Sequence, residues 1–192
     1  QIVNSARLVR ALAKNDQTVL DSLLSEVLSY DFWQIDVEKL WSISERAKKT
    51  KTSWTEIIKK DSQLNPVFMF FVKLASIYKS ESLEIMLDYL SGVQPVKLSK
   101  DKNFTSAFYE FHFSNIASKD SDNSFWNLLS NLTLLRQKLR DHQSNYSSVL
   151  KLDDFIQFID MHEQAEIKIL NNSPHNEQAE AVNLMTAYGA KG

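Results

Sequence analysis

The sequence predicts an all-α protein of about eight helices, with one short β-like segment near its end. Three observations carry this. Only three Gly and three Pro occur in 192 residues, too few breakers for a β-sandwich or a glycine-rich enzyme fold. Apolar residues recur at helical spacing through most of the chain. They make up 43% of it, against 24% charged residues, and a chain this long buries roughly 70% of its unfolded surface.

Ile2, Ala6, Val9 and Ala13 mark a first helix. Asp16 is placed to cap a second, whose stripe is Val19, Leu20, Leu23, Leu24, Val27 and Leu28. The turn "SYDFWQID" interrupts it, and Asp36 can cap a third helix holding Val37, Leu40 and Trp41. Asn65 and Pro66 read as N-cap and first residue of the next, striped by Val67, Phe70, Phe71, Leu74, Ile77 and Tyr78. The helix near 81–91 runs into Gly92, a left-handed C-cap, with Pro95 beyond. Residues 93–103 read as a polar loop. Two long patterns follow, 122–140 and 152–170, then a linker at 171–178. Residues 182–187 (VNLMTA) alone look like a strand.

A net charge of −2 excludes a protein that binds nucleic acid by bulk charge, but leaves room for a local basic face. No cysteine is present, so thiolate metal sites are excluded and a reducing cytosol suits the chain. No run is apolar enough to span a membrane. His112, His142, His162 and His175 lack metal-ligand spacing, and no nucleophile elbow or phosphate-binding glycine loop occurs. No catalytic residue and no metal site is therefore expected. Asp153-Asp154 read as the acidic first turn of a helix.

Two basic clusters are candidate phosphate contacts. Arg46, Lys48, Lys49 and Lys51 end one helix; Arg136, Lys138 and Arg140 end another. Cations also favour helix C-termini for reasons unrelated to ligands. Trp41 and Trp126 read as core, whereas Phe32-Trp33, in a turn, is the aromatic pair to inspect for exposure.

The run "VNLMTAYGAKG" resembles a motif of the UvrD/Rep group of superfamily 1 DNA helicases and their RecB- and AddA-like relatives. Leu184, Met185, Thr186, Ala190, Lys191 and Gly192 match it, and Tyr188 stands where the family usually has His. "IVNSARLVRALAKNDQ" resembles the motor-domain helix that leads into a helical insertion, called 2B. "LSYDFWQIDVEKLWSIS" resembles a segment of that insertion in RecB-like members, without the Gly-Ile-Gly turn of the UvrD and Rep branch.

The resemblance implies three parts: residues 1–13 as a stub of motor domain 2A, 14–179 as the insertion, and 180–192 as a returning 2A stub. It implies a parent that hydrolyses ATP with Mg²⁺ and moves 3′ to 5′ along DNA. It makes Thr186, Tyr188, Lys191 and Gly192 DNA-binding or loop-shaping residues. It puts the nucleotide-binding lysine, the Mg²⁺ carboxylates and the γ-phosphate arginines outside this chain, so this piece alone is expected to lack ATPase activity. The implied partners are single-stranded and duplex DNA, with proteins at the insertion. The other reading is a helical protein-interaction module with no nucleic-acid role.

Overall fold

The computed structural model describes residues 1–113 and 149–166, together with Thr133, Leu134, Gln137, Lys138 and Asp141. The first helix, α1 (Ile2–Lys14), sits at the centre of the packing. It lies against four others: α2 (Gln17–Leu28), α5 (Leu64–Ile77), α6 (Leu83–Ser91) and α8 (Leu152–Gln164). Its Ala6, Leu8 and Val9 are completely buried. Asn15 takes a left-handed conformation and turns the chain. Asp16 then caps α2 through its carboxylate, which accepts from the Thr18 N–H at 3.1 Å. Val19, placed in the α2 stripe, stands exposed.

Ion pairs fix the direction of α8 on α1. Arg7 reaches Asp160 at 2.7 Å and Glu163 at 2.6 Å, Arg10 reaches Asp160 at 3.4 Å, and Lys14 reaches Asp153 at 3.5 Å. Partners descend along α8 as the cations ascend along α1, so the two helices run antiparallel. Arg7, Arg10 and Lys14 follow helical spacing and share one face of α1. Asp153 and Asp154 form the acidic first turn of α8, and Asp154 accepts from the Lys151 N–H at 2.8 Å.

The second centre is α5, which buries Leu64, Phe68, Phe70, Phe71 and Leu74. It begins at Leu64 rather than at Pro66. Its cap is Asp61, whose Oδ1 accepts from the Gln63 and Leu64 N–H groups at 2.9 and 3.0 Å. Asn65 is thus inside the helix. Pro66 still falls within the first turn, where its missing N–H leaves no carbonyl unpaired.

Ser82 caps α6, and Gly92 ends it at φ 80°. A Cβ on Gly92 would lie 2.1 Å from the Ser106 carbonyl oxygen. Conformation and space therefore both require glycine there.

Residues 93–103 are not simply a loop. They contain β1 (Val96–Ser99), paired antiparallel with β2 (Lys102–Phe104) in the register Val96↔Phe104 and Lys97↔Asn103. Val96 is buried while Lys97 is exposed, an alternation that puts one face on α5 and the other in water. The described residues are thus mostly helical with a small two-stranded sheet. The short helix α7 (Phe108–Phe113) follows it. Residues 182–187 lie outside the described residues, as do Trp126 and most of 122–140 and 167–192.

The Phe32-Trp33 pair is not an exposed platform. It forms a 3₁₀ turn (Asp31–Trp33) that plugs the core. Phe32 meets Phe108 edge-on at 5.4 Å, and Trp33 meets Phe70, Phe71 and Phe104 within 6.3 Å.

Candidate nucleic-acid interface

The third helix, α3 (Val37–Thr50), packs on α4 (Trp54–Ile58) and carries the first basic cluster. It turns Leu40 and Ile43 inward, with Ala47 half-buried on the same side. Asp36 occupies the N-cap position without a side-chain cap bond. Lys51 closes the helix in a left-handed conformation, and the Thr52 N–H donates to the Ala47 carbonyl at 3.2 Å.

Trp41 is not core: it is 76% exposed. The sequence alone leaves the phase of this helix open. Val37, Leu40 and Trp41 satisfy helical spacing, but so do Leu40, Ile43 and Ala47. The second set is buried, so Trp41 falls roughly 130° away from the buried face. Val37 is 62% exposed beside it.

Arg46, Lys48, Lys49 and Lys51 are all exposed. Lys49 pairs with Glu45 one turn back at 2.7 Å, an exposed contact of little energetic weight. Lys59 and Lys60, just past α4, are exposed too. From Arg46 to Lys60 the chain therefore carries six exposed cations against one carboxylate, Glu56, in a protein of net charge −2. α4 leads the chain back toward the start of α3: Lys59 Nζ lies 6.0 Å from the Phe68 ring, and Asp61, next to Lys60, meets Lys39 at 2.8 Å, so these two lysines stand apart from the Arg46–Lys51 cluster. Sequence reasoning missed Trp41, and the signal was the alternative phase of α3.

At the other end of α3 lies an open groove of about 680 Å³ lined by Gln34, Ile35, Asp36, Glu38, Lys39 and Gln63. Its lysine is engaged: Lys39 Nζ donates to Asp61 Oδ1 at 2.8 Å and to Gln63 Oε1 at 2.9 Å. Partial burial pushes the Asp61 carboxyl up. The Lys39 hydrogen bond and the two backbone N–H groups outweigh it and hold the group below its ordinary value. α3 is thus polar and groove-like at its start and cationic at its end.

Of the second cluster, Lys138 is exposed on a helix; Arg136 and Arg140 lie outside the described residues. So do Thr186, Tyr188, Lys191 and Gly192. His112 is half-buried among Phe32, Phe108 and Phe111, and that burial lowers its pKa. His162 Nδ1 bonds the Phe158 carbonyl at 2.8 Å. Among the described residues no three His, Asp or Glu side chains converge as a metal-holding group, and no helix is long and apolar enough to cross a membrane. Comparison of the chain with protein-family models, curated proteins and solved structures finds no match.

Proposed function

We propose that the chain is part of an ATP-dependent DNA helicase of the UvrD/Rep group, and that residues 14–179 form the 2B-type insertion into the second motor domain. The observation that carries the reading is the run from Leu184 to Gly192, with its Leu-Met-Thr and Lys-Gly matches. The exposed cations from Arg46 to Lys51 support it, because an insertion that touches DNA needs phosphate contacts. In this reading the insertion contacts DNA beside the motor and regulates unwinding in the cytoplasm. ATP and Mg²⁺ serve the motor, through residues that this chain does not supply.

Two experiments test it. The complete reading frame should carry a Walker-type lysine loop upstream and Leu-Glu-Phe directly after Gly192; a frame lacking both overturns the assignment. The 192-residue chain should shift a duplex with a single-stranded tail in a mobility titration, weakly and with steep loss on adding salt. Reversing Lys48 and Lys49 together, or Arg136, Lys138 and Arg140 together, should weaken the shift. A chain that binds no DNA at low salt favours the protein-interaction module.

A further inference from the structure

We propose that the outer face of α3 is a contact for single-stranded nucleic acid, in which Trp41 stacks on a base while the cations that follow it hold the phosphates. This rests on the DNA reading above and adds the strand type and the stacking residue.

Three observations carry it. Trp41 is 76% exposed, and among the described residues it has no aromatic or cationic partner. An indole face left open on a helix is unusual for a residue type that is mostly buried. The second observation is position. At 3.6 residues per turn, Val37, Trp41 and Lys48 lie within about 40° of one another, and Lys48 stands about 10 Å beyond Trp41 along the axis. The third is charge complementarity, since the same end of the helix carries four exposed cations, Arg46, Lys48, Lys49 and Lys51.

An aromatic face beside a cationic track is the arrangement that binds single strands without sequence preference, because every base has a π-face and every nucleotide a phosphate. A duplex offers its phosphates to the same cations but keeps its bases stacked on each other, so Trp41 gains nothing from it. Glu45, one residue before the cluster, is paired with Lys49 at 2.7 Å, an exposed contact too weak to withhold that lysine from a phosphate.

The test compares Trp41→Ala and Trp41→Phe with the parent chain. Binding to a fluorescent oligo(dT), a blunt duplex and poly-glutamate is measured at low salt. Trp41→Ala should weaken oligo(dT) binding about ten-fold, leave duplex binding within two-fold, and leave poly-glutamate unbound. Trp41→Phe, which keeps a ring, should recover most of the loss. Both variants should melt with the parent, since the side chain is exposed. Equal loss on oligo(dT) and duplex overturns the stacking role, and so does no loss on either. Poly-glutamate binding that depends on Trp41 makes the face a site for acidic protein and also overturns the proposal. If Lys48→Glu with Lys49→Glu weakens both DNAs while Trp41→Ala weakens neither, the DNA reading stands and this inference falls. If no nucleic acid binds, both fall.

Discussion

Asp61 joins two helices with one oxygen, and its replacement gives a graded prediction. Its Oδ1 accepts from Lys39 Nζ at 2.8 Å and from the Gln63 and Leu64 N–H groups at 2.9 and 3.0 Å. Asp61→Ala removes all three contacts. Losing a helix cap costs about 1 kcal/mol. The Lys39 pair, with both side chains about a quarter exposed, adds about 0.5 kcal/mol after solvent screening. The sum is about 1.5 kcal/mol, or about 4 °C in Tm for a chain of this size. Asp61→Asn keeps an oxygen for the two backbone groups and loses the charge, so its cost should be about 0.5 kcal/mol. The charge dependence has a definite sign. The carboxyl titrates below its ordinary value in the folded state, so its stabilisation is present above pH 4 and lost as pH falls through the folded value. Urea unfolding of the three chains at pH 7 and pH 3 measures this, and the gap between parent and Asp61→Ala should narrow at pH 3. A gap under 0.3 kcal/mol at pH 7, or Asn and Ala variants of equal stability, would refute the assignment of Asp61 as the α5 cap.

Three further predictions concern the body of the fold. Gly92→Ala should lose at least about 2 kcal/mol by thermal melting, from left-handed strain plus a contact with Ser106 that only backbone movement relieves. Leu8→Ala, at the completely buried centre of α1, should cost about 3 kcal/mol and leave far-ultraviolet helicity largely intact at low temperature. Burial lowers the His112 pKa, so the unfolded chain holds more protons below pH 6.5 and stability falls as pH drops through that range. Denaturation midpoints of the parent should therefore fall more between pH 7 and pH 5 than those of His112→Phe.

What could be read from the sequence divides by how local the physics is. The Asp16 cap and the Gly92 stop depend on a few neighbouring residues, and both stand in the structure as expected. The apolar stripe of α5 was legible because its aromatic rows have one phase. The start of that helix was not, because Asp61 caps it from three residues back while Asn65-Pro66 offers a stronger local pattern. α3 has two apolar phases, and only its packing on α4 selects the one that leaves Trp41 outside. The hairpin at Val96–Phe104 was hidden by strands of four and three residues with a lysine-rich outer face. The Arg7–Asp160 pair joins residues 153 positions apart, and no local pattern announces such a partner. Of the candidate interface, the basic run Arg46–Lys51 was visible as charge. Trp41 needed the phase of α3.

The most direct measurement of the central claim, that the end of α3 is a nucleic-acid contact, is the salt dependence of binding. Affinity for a tailed duplex is determined from 20 to 200 mM salt for the parent and for a chain with Arg46, Lys48, Lys49 and Lys51 all changed to Glu. Each phosphate contact contributes about 0.7–0.9 to the slope of log Kd against log salt. The variant should bind more weakly at every salt, with a slope shallower by roughly 3. Parallel lines for the two chains would contradict the account, because the cations would then touch no phosphate.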